Sequence, residues 1–273
     1  AAAALRGRGT GTRELDALDP RHIVGHVDAI LLAGGSAYGL GAADGVMRWL
    51  RERRRGFPVR ADEVVPIVPT AVIFDLGNTG AASAWPGPDD AARACAAATA
   101  EVAEGAVGVG AGATVGKAAG IKWAMKGGVG SWAVQAGDVI VGVLVVVNAV
   151  GDVRDGRGAI LAGARTARGG FLDSQRFLAQ GGTPFGPDPE PTANTTLAVI
   201  VTNAALDKVA LEALAHAGSD ALARRITPYG TLFDGDVVFA ASTAVVRPAS
   251  PLQAEALAAE AVPEALERAV RLA

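Results

Sequence analysis

The junction Asn194-Thr195 is where this sequence could do chemistry. A Pro- and Gly-rich stretch, Gly181 to Pro191, leads into the apolar run Thr195 to Thr202, TTLAVIVT, and a hydroxyl residue stands first in that run. A threonine so placed can attack the preceding carbonyl. An N→O acyl shift then gives an ester, and water releases a new N-terminal threonine. The freed α-amine, with a pKa of about 8, can accept the hydroxyl proton. The competing reading is a strand that happens to begin with threonines, which suit strands in any case.

Three further features bear on such a reaction. Asp234-Gly235-Asp236 places two carboxylates just before an apolar strand, and a spacing of two puts both on one face of an extended backbone. Two close carboxylates can orient a hydroxyl and hold a proton, because like charge raises one of their pKa values; a plain Asp-Gly turn is the alternative. The Gly-rich stretch Gly108 to Lys117 fails as a phosphate loop. Ala111 stands where a Walker loop needs glycine, Ala118 where it needs Ser or Thr, and Ala113 where the dinucleotide pattern needs its third glycine. Lys117 is then either a solvated loop lysine or a cation set near a nucleophile. Asn148 ends the run VLVVVN, where a side-chain amide can donate to an oxyanion or simply close a strand. His22, His26 and His216 have no metal-ligand spacing, and Cys95 has no neighbouring histidine; it reads as a small apolar residue, and no metal site or cofactor is expected.

The elements that must hold these residues are legible from apolar patterning. His26 to Leu32 reads as a buried strand ending in the turn Gly34-Gly35. Ala42 to Arg53 has helical spacing, and the basic run Arg51 to Arg55 suits a solvated helix end. Val64 to Leu76 is extended, with Pro66 and Pro69 barring a helix. Ala91 to Glu104 reads as an Ala-rich helix, Gly105 to Gly130 as loop and short strand, and Asp138 to Asn148 as a strand. Gly151 to Pro191 is mostly turn-forming. Strands at Thr195 to Thr202 and Asp236 to Thr243 are interleaved with helices at Leu206 to Arg225 and Ala254 to Leu272. Ala1 to Thr12 has no clear period and reads as an irregular lead-in. Without strict β-α alternation, an α+β layered fold of the αββα sandwich type fits better than a doubly wound sheet.

Composition bounds the rest. The 273 residues are 50% hydrophobic and 19% charged, which is globular and large enough for one sizeable core. The net charge of −3 is spread along the chain, leaving no basic stripe for nucleic acid. A single cysteine cannot form an internal disulfide, no leader is evident, and no apolar run reaches the roughly 20 residues of a membrane span. A cytoplasmic enzyme without membrane or nucleic-acid partners is expected.

Taken together and in order, several motifs carry a resemblance. They are Leu32-Ala33-Gly34-Gly35-Ser36-Ala37-Tyr38-Gly39-Leu40, Ala43-Asp44-Gly45-Val46, Val65-Pro66-Ile67-Val68-Pro69 with Ala71-Val72-Ile73-Phe74-Asp75, and the loop Gly112-Ala113-Thr114-Val115-Gly116-Lys117. Met125-Lys126-Gly127-Gly128, Asn194-Thr195-Thr196-Leu197 and Asp234-Gly235-Asp236 complete the set. Over nearly the whole chain, this resembles the P1 family of self-processing peptidases (family S58). It includes the L-aminopeptidase/D-amidase/esterase, the β-peptidyl aminopeptidases and the nylon-oligomer endohydrolase.

The resemblance implies an N-terminal-nucleophile, four-layer αββα fold related to that of ornithine acetyltransferase. It implies one domain, residues 1–273, cut into chains 1–194 and 195–273. Thr195 matches the family nucleophile, Asp234 and Asp236 its acidic pair, Lys117 its active-site lysine and Asn148 its oxyanion-side asparagine. Tyr38 and Phe74 fall where substrate would lie, with Phe74 replacing a tyrosine of the nylon-oligomer enzyme. Some members carry serine as nucleophile and in place of the first aspartate; this chain resembles the Thr and Asp-Gly-Asp branch. The resemblance also implies a homo-oligomer, a tetramer of cleaved units, acting on a small peptide or amide. It places Ala1 to Thr12 at the tail of an N-terminal strand segment whose loss would expose a sheet edge. The rival expectations are an acyltransferase of the same fold, passing the acyl group to an amine, and a binding or scaffold protein that has kept the residues.

Overall fold

The computed structural model describes residues 1–78, 84–183 and 194–273. At its centre is a five-stranded sheet. Its strands, in spatial order, are Ala2–Gly7, Gly235–Val246, Thr195–Ala204, Val139–Asn148 and Val129–Ala136. All neighbours are antiparallel except the central pair, Thr195–Ala204 with Gly235–Val246, which is parallel.

Both faces of this sheet are covered, as period-two alternation in its strands requires. Val141, Val143, Val145 and Val147 turn to one side with Ala198, Ile200 and Val238. There they pack on Leu211, Leu214, Leu222, Leu257, Val262 and Leu266 of helices Lys208–Ala223 and Pro251–Arg271. Val146, Leu197, Val237 and Phe239 turn to the other side, against Leu32 and Ala71 of a second sheet. That sheet has three short strands, ordered Gly11–Arg13, Thr70–Val72, Leu31–Ala33. Above its outer face, Leu31 and Val68 pack with Val46 and Leu50 of helix Ala43–Arg51 and with Ala91 of helix Pro88–Ala97. The order helix, sheet, sheet, helix is the expected αββα sandwich.

Several elements differ from the sequence expectation. The irregular lead-in is wrong: Ala2–Gly7 is an edge strand of the main sheet, and Gly11–Arg13 belongs to the second. Alanine has little strand preference, so pairing along Gly235–Val246 and burial of Ala2 and Ala4 decide its state, not propensity. Strand Val129–Ala136 also lacked a clear signal, because it is an edge strand with an exposed end. The Ala-rich helix runs from Pro88 to Ala97 and not to Glu104. Asp90 accepts the Gly87 N–H at its start at 2.8 Å, while Ala91 is its one buried residue, so no apolar face extends it. The strand expected over His26 to Leu32 is confined to Leu31–Ala33, and the turn-rich Gly151 to Pro191 includes strands Asp152–Arg154 and Ile160–Ala162 and a helix Ser174–Ala179. Residues 184–191 of the Pro- and Gly-rich lead lie outside the described residues. Cys95 is half-buried against the outer helices, and burial pushes its thiol up. No described helix is long and apolar enough to cross a membrane.

Candidate active site

Thr195 opens the central strand of the main sheet and is 2% exposed. Its hydroxyl donates to the carbonyl oxygen of Asn194 at 2.7 Å. The same carbonyl oxygen accepts the backbone N–H of Gly235 at 2.8 Å. The bond preceding Thr195 is therefore held between a hydroxyl and an amide donor, and the sheet imposes this because Asn194 bridges Asp234 at the mouth of the parallel pair.

On the other flank, Thr195 is the ladder partner of Asn148. Asn148 is fully buried, and its partners fix its orientation. Oδ1 accepts the Lys117 ammonium at 2.8 Å and the Thr114 N–H at 3.0 Å, and Nδ2 donates to the Phe74 carbonyl at 3.0 Å. A flipped amide would set donors against donors. Lys117 also donates to the Asn148 carbonyl at 2.9 Å and is 2% exposed, so it is not a solvated loop lysine. Gly116, at φ 74°, makes the turn that sends Lys117 inward; a Cβ there would strike Gly163 and Ala164. Burial draws the Lys117 pKa down to about 7, against the opposing pull of Asp234, Asp236 and Asp75.

The two aspartates sit beside the junction and brace its backbone. Asp236 is buried; one oxygen accepts the Thr196 N–H at 2.6 Å and the other the Gly230 N–H at 3.1 Å. Burial first, and then the charge of Asp234, raise the Asp236 carboxyl well above the usual range. Asp234 closes a turn by accepting the N–H of Thr231 at 2.8 Å and its hydroxyl at 2.6 Å. The two carboxylates thus bond to residues 196, 230 and 231.

Phe74 reaches the cluster through its carbonyl. Tyr38 lies farther out, 61% exposed and stacked on Trp85 with ring centroids 4.5 Å apart. The Gly235 N–H was not among the candidate groups read from sequence. It is a backbone donor, and only the register of the parallel pair reveals it. Among the described residues no group of three His, Cys, Asp or Glu side chains could hold a metal ion.

A four-layer αββα sandwich with a hydroxyl residue at the head of a central strand is the arrangement of the N-terminal-nucleophile hydrolases. The comparisons agree. The L-aminopeptidase D-Ala-esterase/amidase of Ochrobactrum anthropi, described as a variant of that fold, superposes with a TM-score of 0.57 at 22% identity, over 84% of this chain and 61% of that one. A β-aminopeptidase of Burkholderia sp. superposes at 0.62 with 20% identity, over 98% and 72%. In sequence, an uncharacterized aminopeptidase of Mycobacterium tuberculosis is 49% identical over 248 residues, 88% of this chain and 69% of that protein. A 6-aminohexanoate-oligomer endohydrolase of Kocuria sp. is 34% identical over 228 residues, 79% and 60%. The family described as Peptidase family S58 matches residues 1–273, and the chain belongs to it. It is accordingly a hydrolase of amide bonds.

Proposed function

We propose that this protein cuts its own Asn194-Thr195 bond and then uses Thr195 as an N-terminal nucleophile on small peptides or other linear amides. The observation that carries this reading is the Asn194 carbonyl, which accepts both the Thr195 hydroxyl and the Gly235 N–H.

In self-cleavage the hydroxyl turns from the carbonyl oxygen to its carbon. Thr195 Oγ1 bonds to that carbon as its proton leaves, and the negative charge on oxygen is met by the Gly235 N–H; such a donor contributes about 10²- to 10³-fold. The C–N bond breaks as the Thr195 nitrogen takes a proton, leaving an ester on Oγ1 and a free amine. Water then hydrolyses the ester, giving chains 1–194 and 195–273 of the one domain. Lys117, held at about 7, has a neutral form at physiological pH and is suited to accept the hydroxyl proton in self-cleavage; once the bond is cut, the new α-amine can share that role on substrate. Asn148, fixed by Lys117, Thr114 and Phe74, has a second amide hydrogen to offer an oxyanion. Asp236 and Asp234 keep strand and turn in register.

On substrate the cycle repeats: Thr195 is acylated, the leaving amine takes the proton, and water regenerates the hydroxyl. The names of the relatives support an aminopeptidase or amidase; assembly of the cleaved units as a homo-oligomer is part of the same proposal. Intact mass under denaturing conditions tests the core of this. Two fragments, 1–194 and 195–273, with hydrolysis of amino-acid amides, are expected. Thr195→Ala should give one uncut, inactive chain; a cut and active Thr195→Ala protein rules the mechanism out.

A further inference from the structure

Asp152 is a fully buried carboxylate that this chemistry leaves unused. It opens strand Asp152–Arg154. One of its oxygens accepts the Ala164 N–H at 2.9 Å and the Ser174 hydroxyl at 2.6 Å, and the other accepts the Ser174 N–H at 2.6 Å. Ala164 and Ser174 are fully buried as well. No salt bridge among the described residues includes Asp152. Arg154, the cation that acts on it, pairs with Asp173 at 3.0 Å. Burial raises the Asp152 carboxyl despite its hydrogen bonds. A carboxylate in this setting is costly to keep unless its donors stay in place, so it ties the segment Gly163 to Ser174 to the strand.

That segment packs on the turn that carries Lys117. A Cβ at Gly163 would strike the Asp152 carboxylate, and a Cβ at Gly116 would strike Gly163 and the Ala164 nitrogen. The Gly163–Ala164 peptide therefore touches both the carboxylate and the Gly116 turn. The backbone on the other side of Lys117 is fixed by the residues just before Asp152. The Gly116 N–H donates to the Gly151 carbonyl at 3.1 Å, and the Lys117 N–H to the Val150 carbonyl at 2.9 Å. The charges that act on the Lys117 ammonium come from Asp234 and Asp236 at their turn and from Asp75 after strand Thr70–Val72. Asp152 is not one of them, and its path to Lys117 runs through backbone.

We propose that Asp152 is a positioning residue for Lys117: by pinning the Gly163–Ala164 peptide against the Gly116 turn, it keeps water from the ammonium beside Asn148. The catalytic part of this proposal rests on Lys117 as the base. Asp152 has two conceivable routes to Lys117, and they differ in sign. Removing a negative charge disfavours the ammonium and lowers its pKa. Opening the wall lets water reach the ammonium and raises its pKa toward the ordinary lysine value of 10.5. A rise on substitution of Asp152 is thus the mark of the wall.

The test is an NMR titration of isotope-labelled lysine Cε signals in the wild type and in Asp152→Asn, matched for cleavage state by intact mass. Lys117, one of four lysines, is assigned through Lys117→Arg. Single-turnover and steady-state hydrolysis of leucine amide are followed over the same pH range. Asp152→Asn should raise the Lys117 midpoint by about one unit or more. It should lower kcat about fivefold at about pH 7, leave KM unchanged, and recover the wild-type rate at about pH 9. A Lys117 midpoint that stays put or falls overturns the proposal. So does a rate lowered by one factor at every pH, which is what a merely structural residue gives. Should Asp152→Asn not fold, Ser174→Ala, which removes the hydroxyl donor alone, must raise the midpoint by a smaller step, and an unmoved midpoint there overturns the proposal too. A Lys117 signal that moves without the rate profile following it supports the hold of Asp152 on Lys117 and removes Lys117 as the base.

Discussion

The backbone N–H of Gly235 points at the carbonyl oxygen of Asn194, 2.8 Å away, although 40 residues separate them in the chain register that pairs Leu197 with Val237. That carbonyl belongs to the bond before Thr195. A ladder hydrogen bond of the parallel pair is thus also the donor that would steady an oxyanion there. Asn148, the antiparallel partner of Thr195, brings Lys117 to the opposite flank.

The role given to Lys117 predicts a pH profile. Burial has lowered its pKa to about 7, so the neutral base gains population as pH rises through that value. Self-cleavage and kcat/KM should climb to about pH 7 and level off above it. Lys117→Arg, which stays charged, should lose about 10²- to 10⁴-fold. Single-turnover rates across about pH 5 to 9 would check both; a flat profile would remove Lys117 as the base.

Asn148→Asp should move that profile. A carboxylate in contact with the ammonium favours its charged form, so the midpoint should rise above about 7, by about one unit or more. The variant also loses the donor to the Phe74 carbonyl, so a lower plateau is expected as well. A midpoint that stays put or falls would contradict the assignment.

Asp236 makes a prediction about stability. Its folded pKa is raised above the unfolded value, so its contribution is full below the ordinary carboxylate value of 3.8 and is lost as pH rises through the folded value. Urea unfolding of Asp236→Asn should show a flatter decline than the wild type over that window. The variant loses one acceptor, for Thr196 or Gly230, and should be less stable below it.

Gly7 is expected to be intolerant although it is far from Thr195 in sequence. Its φ is 78°, and a Cβ there would collide with the Asp234 carbonyl. Gly7→Ala should cost about 1–3 kcal/mol in denaturant unfolding, and by displacing Asp234-Gly235 it should slow self-cleavage. Normal cleavage in a destabilised variant would show that the junction does not depend on this edge strand.

Much was legible in the sequence. The valine run 139–148 and the run after Thr195 are too apolar and β-branched to be anything but buried strands, and the two C-terminal helices carry apolar residues at helical spacing. The order of motifs, from the Gly34-Gly35 turn to Asp234-Gly235-Asp236, identified the family. Local patterns of this kind depend on each segment alone, which is why the chain declares them.

Tertiary structure decided the rest. Ala2–Gly7 is a strand only because an edge of Gly235–Val246 is there to pair with. Lys117 is buried only because the turn at Gly116 sends it to Asn148, and its lowered pKa follows from that burial. The two aspartates, read as partners for a hydroxyl, are bonded to backbone and to a turn, and the Gly235 N–H occupies the place beside the Asn194 carbonyl. A backbone donor has no residue identity, and a pKa has no value until its solvent is known. Both belong to register and burial, which are properties of contacts between segments distant in the chain.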